Sequence, residues 1–123
     1  MDRVIIERIV CYGYHGVLLE EQSLGQEFQV SLELGVDLSN HDEDRIENVV
    51  DYRLAVSITE EIMYGPPCRL LETLASRIAD KLLSLEGIIE VTVEVRKPNP
   101  PIPGVQGGVS IILSRNKEGS STH

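Results

Sequence analysis

The sequence predicts an α+β domain in the order ββααββ, with two helices packed on one face of a four-stranded antiparallel sheet. Two kinds of spacing indicate this fold. Apolar residues alternate with polar ones in four separate segments, which is typical of strands with one buried face. Between the second and third of these segments, apolar residues recur every three or four positions, which is typical of helices that bury one side.

The first two segments predict the first pair of strands. In residues 2–12 the alternation changes phase between Ile6 and Ile9, which indicates a β-bulge. The connector GYHGVLLEEQSLGQ, at positions 13–26, is turn-rich. The clearest alternation in the chain follows, and its apolar positions are Phe28, Val30, Leu32, Leu34, Val36 and Leu38.

An acidic loop, SNHDEDRIEN at positions 39–48, separates these strands from two predicted helices. The first helix has Leu54, Ile58 and Ile62 at helical spacing and ends at the following YGPP, since proline restricts the residue before it. The second helix runs over about residues 70–85, with an apolar face that includes leucine and isoleucine.

Two further strands complete the sheet, at positions 91–95 and 109–113. Between them lies KPNPPIPG, positions 97–104, which holds four of the six prolines in the chain. Because proline fixes φ, this loop is suited to holding a neighbouring side chain in place. The domain is predicted to span residues 1–115, and residues 116–123 form a polar tail that we expect to be disordered.

Composition limits the classes of partner. A chain of 123 residues with 41% hydrophobic content is long enough for one core. The formal net charge of -9 argues against nucleic-acid and anionic membrane surfaces, which require clustered lysine and arginine. The charged N-terminus does not resemble a signal peptide, and no apolar run reaches the ~20 residues that span a bilayer. We therefore expect a cytoplasmic protein.

Metal and phosphate sites are not indicated by the sequence. His15, His41 and His123 form no HxH or HExxH pattern, so we expect no metal. The two common glycine-rich phosphate-binding motifs are also missing from the sequence. Cys11 and Cys68 form no CxxC motif and are expected to be buried thiols.

Five side chains are candidates for chemistry, and each also has an ordinary structural interpretation. Lys97 stands between a strand and the stiff loop, but a strand-end lysine is often just solvated. Glu72 suits a bidentate pair with a guanidine-like ring edge, although an acid in the first helical turn also stabilises the helix dipole. Glu21 can equally be a solvated carboxylate in a loop. Tyr52 can be a packing aromatic, and His15 can be a residue that satisfies backbone groups in a turn. None of the five supports a function alone.

Taken together, they resemble a known family. CYGYHGVLLEEQSLGQ, NVVDYRLA, GPPCRLLETLASRIA and VRKPNPPIPG appear in the order and spacing found in the dihydroneopterin aldolases of folate biosynthesis. The resemblance implies the tunnelling fold, in which subunits join edge to edge into tetrameric rings and two rings commonly stack into an octamer. Such a homo-oligomer resolves the open edges of a four-stranded sheet and places its sites at subunit interfaces.

The resemblance also implies roles for particular residues. Glu72 is expected to bind the 2-amino group and N3–H of a pterin, with backbone contacts and a wall from Leu70 and Leu71. Lys97 is expected to be the general acid/base. Glu21 is expected to lie beside the substrate side chain and its water.

Two further residues are implied at the same site. Tyr52, together with Val50, is expected to come from a neighbouring subunit. The implied reaction is the retro-aldol cleavage of 7,8-dihydroneopterin, with no cofactor, metal or Schiff base, because the C=N bond of the substrate ring accepts the electron pair. Two alternatives stay open from the residues alone, a related dihydroneopterin (phosphate) epimerase and a non-catalytic ring-forming binding protein.

Overall fold

The four predicted strands form one antiparallel sheet in the order β1-β2-β3-β4 in the computed structural model, which describes residues 1–37, 44 and 50–117. The predicted α+β fold class is confirmed. Strands β1 and β4 are the two edges of this sheet. The strand bounds are β1 (Asp2–Gly13), β2 (Gln26–Val36), β3 (Ile88–Lys97) and β4 (Val109–Asn116).

The predicted bulge lies in β1. The register with β2 shifts between Ile6 and Ile9. Within this interval Arg8 adopts a left-handed φ of 57°, and its backbone N–H donates to Ser31 Oγ at 3.1 Å. The extra residue moves the buried positions of β1 from one parity to the other, so both halves of the strand face the core.

The two faces of the sheet differ in polarity, as the alternation predicts. One face carries half-buried polar side chains in cross-strand pairs, which are Gln29–Arg96, Ser31–Glu94 and Glu33–Thr92. The opposite face is buried under the helices. Its strand residues in the core include Phe28, Val30, Leu32, Leu34, Val91, Val93 and Val95.

The helices α2 (Tyr52–Met63) and α3 (Leu71–Leu83) lie where the sequence predicts them. Asp51 is the N-cap of α2, and its carboxylate accepts a hydrogen bond from Arg53 N–H at 3.0 Å. Ile58 of α2 is buried as predicted, but Leu54 is 47% exposed, so its predicted place on the buried face is wrong. The buried residues of α3 are Leu71, Leu74, Ala75, Ile78, Ala79 and Leu82. No helix in the part of the chain that the structure describes is long and apolar enough to cross a bilayer.

The structure differs from the prediction in the connector after β1, which contains a short helix, α1 (Leu19–Leu24). Glu20 and Glu21 lie in its first turn, where acidic side chains favour helix formation. At the other end of the chain, β4 continues through Asn116, one residue into the predicted tail. Residues 118–123 of that tail, Leu38 and most of the acidic loop lie outside the described residues.

The cysteine prediction is confirmed. Cys11 and Cys68 are both buried and both free. Burial raises the pKa of the Cys11 thiol to about 11, with a smaller contribution from the charge of Glu60. Cys11 is therefore a protonated, unreactive core residue at neutral pH.

Candidate active site

Lys97 and Glu21 form a buried ion pair. Lys97 is the last residue of β3, and its Nζ donates to Glu21 Oε2 at 2.5 Å. The side chains are 14% and 5% exposed, although the residues are 76 positions apart in the sequence. A buried ion pair needs further hydrogen bonds to offset the lost hydration of its charges.

Glu21 receives those further bonds from its own segment. Its Oε1 accepts from Leu18 N–H at 3.2 Å, which caps the first turn of α1, and its Oε2 accepts from Gln26 Nε2 at 2.9 Å. Burial by itself raises the pKa of Glu21, but the hydrogen bonds from Lys97, Gln26 and Leu18 outweigh it and hold this pKa below its ordinary value. The carboxylate is therefore ionised at neutral pH and paired with the ammonium group.

A cavity of about 210 Å³ opens beside this pair. Lys97 and Glu21 form its polar wall, and the proline loop forms much of its apolar wall. The full lining is Val17, Leu18, Glu21, Lys97, Pro100, Pro101, Ile102 and Val109. The prolines of the stiff loop thus contact the same space as the lysine that precedes them.

The end of the proline loop is tied back to the strand that carries Lys97. The guanidinium of Arg96 donates to the carbonyl of Gly107. Gly108 has a left-handed φ of 90°, and a Cβ there would lie 2.7 Å from the carbonyl oxygen of Lys97. A residue with a side chain is therefore excluded at position 108 by both conformation and contact.

His15 joins the connector after β1 to the segment before α3. Its Nδ1 accepts from Cys68 N–H at 2.9 Å, so its Nε2 carries the proton and donates to Met63 O at 2.8 Å. Gly16 N–H adds a bond to Cys68 O at 2.9 Å. Burial lowers the pKa of His15, although its bond to Met63 acts in the opposite direction. The ring is neutral and structural, and it satisfies backbone groups of a distant segment rather than of its own turn.

This junction places the start of α3 next to the Lys97 cavity. A second cavity of about 560 Å³ is lined by Leu70 and Thr73, and it shares Val17 with the first. Leu70 lines this second cavity, and its contact with a ligand stays a prediction. The Leu71 side chain lies in the core, so only its backbone is available to a ligand.

Glu72 is the second residue of α3, and its side chain is exposed. Among residues 1–37, 44 and 50–117, none forms a hydrogen bond or an ion pair with its carboxylate. It is adjacent to Thr73 at the second cavity but belongs to the lining of neither cavity. The carboxylate at this position is free to bind a ligand, and its role stays a prediction.

Tyr52 and Val50 lie at the opposite end of the sheet. A Cβ built on Gly87, just before β3, would lie 3.0 Å from Val50 Cγ2. Lys97 is at the far end of that ten-residue strand, about 30 Å away. Tyr52, two residues after Val50, is 58% exposed. Within one chain these residues cannot reach the cavity beside Lys97, and their supply by a neighbouring subunit stays a prediction.

Two site residues were missed by the sequence analysis. Gln26, the first residue of β2, holds Glu21, but nothing in the local pattern distinguishes it from an ordinary strand glutamine. Gly16 has φ 146°, and a Cβ on it would overlap the Glu21 carboxyl group. In the sequence, the glycine in GYHGV was the one indication that the backbone at position 16 needs a conformation or a space that excludes a side chain.

The comparisons with known proteins agree with one another. The family described as dihydroneopterin aldolase (FolB) matches residues 4–114. Dihydroneopterin aldolase of Bacillus subtilis (strain 168) is 42% identical over 119 residues, which cover 95% of this chain and 99% of that protein.

Solved structures share the fold. The E. coli dihydroneopterin aldolase in complex with neopterin matches with a TM-score of 0.85 at 23% identity, over 94% of this chain and 100% of that one. The enzyme from Burkholderia thailendensis bound to guanine matches with a TM-score of 0.77 at 25% identity, over 94% of this chain and 91% of that one.

Proposed function

This chain belongs to the dihydroneopterin aldolase family, and from that premise we propose how its own residues carry out the reaction. The enzyme is a carbon–carbon lyase that cleaves 7,8-dihydroneopterin into 6-hydroxymethyl-7,8-dihydropterin and glycolaldehyde. The matched relatives are aldolases, so the epimerase alternative is not favoured. The buried Lys97–Glu21 pair on a cavity is the observation that supports our assignment of roles.

The bonds that change define what the protein must supply. The hydroxyl on the second side-chain carbon loses its proton and becomes the carbonyl of glycolaldehyde. The bond between the first and second side-chain carbons breaks, and its electron pair moves into the ring C=N bond to form an enamine. Protonation of the first side-chain carbon then restores the C=N bond. The substrate itself is the electron sink, so the protein has to position groups and move two protons.

Lys97 and Glu21 are suited to the first proton transfer. The two groups are 2.5 Å apart and partly closed off from solvent, so the Glu21 carboxylate stabilises the positive charge that Lys97 gains when it accepts a proton. We assign Lys97, once its ammonium group has released one proton to solvent, to accept the hydroxyl proton through a water that Glu21 positions. The apolar prolines on the facing wall keep bulk water away from the pair.

Glu72 and the start of α3 are suited to bind the ring. The first N–H groups of a helix have no partner within it, so Leu71 N–H is available to a carbonyl oxygen. The Glu72 carboxylate complements an amino group beside a ring N–H. Neopterin and guanine, the molecules bound by two relatives, both present an amino-pyrimidinone edge of this kind. A shared edge of this type is the expected ligand of Glu72.

A second copy of the chain completes the site in our proposal. Val50 lies beside Gly87, at the end of β3 opposite Lys97, and Tyr52 follows Val50 by two residues. Strands β1 and β4 end the sheet on its two sides. Pairing of these edges between copies produces a ring, which we expect to be a tetramer that stacks into an octamer. Tyr52 of one copy then helps to protonate the enamine formed beside Lys97 of the next.

The activity is tested by incubating the protein with 7,8-dihydroneopterin in the presence of a chelator and measuring both products. Lys97→Ala should lose most of kcat and keep pterin binding, whereas Glu72→Ala should lose binding. Glycolaldehyde release separates cleavage from epimerisation of the side chain. If both variants kept wild-type turnover, the assignment of these residues would be wrong.

The shared site has its own test. Lys97→Ala and Tyr52→Phe chains are co-expressed in equal amounts so that they assemble together. If each site takes Lys97 from one chain and Tyr52 from another, about one quarter of the sites combine two intact residues. Recovery of that fraction supports the shared site. A mixture no more active than its two parents would refute it, because every chain carries one lesion.

We also place the enzyme in the cytoplasm. Two free buried cysteines are ordinary in a reducing compartment. Cell fractionation followed by the glycolaldehyde assay tests this placement.

A further inference from the structure

The side-chain amide of Gln26 is hydrogen-bonded to the carboxylate of Glu21. Its Nε2 donates to Glu21 Oε2 at 2.9 Å, and this oxygen is the one that also accepts from Lys97 Nζ. The other end of the amide, Gln26 Oε1, is buried, and no donor among the described residues faces it. Among the described residues, Glu21 is thus the hydrogen-bond partner of this side-chain amide.

The orientation of this amide follows from the charge of Glu21. Turning the amide over would bring Oε1 against Oε2, so that two acceptors would face each other across 2.9 Å. Buried side-chain acceptors in folded proteins nearly always have a partner. The NH2 group of Gln26 therefore faces the Glu21 carboxylate.

Three hydrogen-bond donors fix the orientation of the Glu21 carboxylate. Lys97 and Gln26 hold Oε2, and Leu18 N–H holds Oε1 at 3.2 Å. Gly16 leaves no room for a side chain on the near side of the carboxyl group. A rotation of the carboxylate would break at least two of these bonds.

We propose that Gln26 is a positioning residue of the active site, which keeps Glu21 ionised and aimed at Lys97 during the proton transfer. Gln26 is not among the residues that line the cavity, so we assign it no contact with the substrate and expect it to act through Glu21. The inference rests on the proposed roles of Glu21 and Lys97.

The main variant is Gln26→Met, which has a similar length and no donor. We expect kcat to fall about tenfold, as for the loss of one hydrogen bond to a charged group, with KM within about twofold of the wild type. The acid limb of the kcat profile should move to higher pH, because a bond that lowers the pKa of Glu21 is lost. Gln29→Met is the matched control, since Gln29 Nε2 also donates to a carboxylate, that of Glu27, at 2.9 Å on the polar face.

A second readout does not depend on turnover. The carboxylate infrared band that disappears in Glu21→Gln identifies Glu21, and its pH titration reports whether the carboxylate has become easier to protonate. This band should titrate at higher pH in Gln26→Met than in wild type. Gln26→Glu, which sets a second carboxylate against Glu21, should move it further in the same direction and serves as the test if Gln26→Met does not fold.

The outcomes separate the two proposals. A wild-type enzyme without turnover refutes the proposed function, while the infrared titration still tests Gln26. A wild-type enzyme with turnover and a Gln26→Met variant of unchanged kcat and acid limb refutes the positioning role. A variant that loses kcat without moving the acid limb or the infrared titration also refutes it, because a loss of packing alone explains that result.

Discussion

Replacing Lys97 by methionine should destabilise the protein as well as inactivate it, and the loss should depend on pH. The Glu21 side chain is 5% exposed and would remain ionised and buried without its cation. Breaking a buried pair by removing one partner typically costs about 3–5 kcal/mol. Leu18 N–H and Gln26 still donate to Glu21, so we expect a smaller loss of about 2–3 kcal/mol at neutral pH.

The pH dependence follows from the direction of the pKa shift. In the wild type the folded pKa of Glu21 lies below its unfolded value. The stability that the carboxylate contributes is present above the unfolded value and is lost as pH falls through the folded one. Without Lys97, burial moves the pKa of Glu21 upward, so the variant protonates this group first. The difference in stability between the two proteins should shrink as pH falls from about 7 to about 4.5.

Urea unfolding followed by circular dichroism measures this prediction, at one protein concentration because assembly contributes to stability. At neutral pH we expect the Lys97→Met midpoint to fall by about 1–2 M urea. The double variant Lys97→Met/Glu21→Gln should recover most of the loss, since it carries no uncompensated charge, and it should stay inactive. Lys81→Met is the control, because Lys81 is exposed in the last turn of α3.

Two results would contradict this reasoning. If Lys97→Met unfolded at the wild-type midpoint at neutral pH, the pair would contribute nothing to stability. If the double variant were as unstable as the single one, the loss would come from packing of the lysine stem and not from the charge left on Glu21.

Three other variants test separate parts of the site. His15→Phe leaves a buried N–H and a buried C=O without a partner and should cost about 2–4 kcal/mol. In the wild type, burial lowers the folded pKa of His15, so stability should fall as pH drops below about 6.5, and denaturation across pH 5–8 should show a flatter profile in the variant. Gly16→Ala places a Cβ against Glu21 at a φ of 146°, so it should lower the free energy of unfolding by at least about 1 kcal/mol and also lower kcat. Gly107→Ala is the control, because a Cβ there meets no atom within 4 Å. It should change neither the urea midpoint nor the rate. Glu72→Gln should leave stability within about 0.5 kcal/mol and weaken pterin binding about 10- to 100-fold in a fluorescence titration; unchanged affinity would remove Glu72 from the binding site.

Much of the fold was predictable because burial of alternating and helical patterns is a local property of the chain. The bulge between Ile6 and Ile9 and the end of α2 before Pro66 were both visible as breaks in a pattern. The short helix α1 was not, since six residues are too few to show a helical period. Its first turn nevertheless carries Glu21, so the missed helix is the element that presents one of the two groups of the ion pair.

The candidate site was predictable only in part. Lys97 and Glu21 were named from motifs, but their contact depends on where the connector after β1 lies in three dimensions. His15 sets that position through bonds to Met63 and Cys68, which are 48 and 53 residues away. A hydrogen bond between such distant residues leaves no periodic trace in the sequence.

The sequence by itself determined the four strands, the two longer helices and the family, because these depend on which side chains avoid water and on motifs of contiguous residues. Only the tertiary structure decided that Lys97 meets Glu21, that Gln26 holds the same carboxylate oxygen, and that Val50 lies at the other end of β3 from Lys97. The physical reason is that charge pairing and hydrogen bonding act over about 3 Å. Which groups come that close is set by the packing of the whole chain.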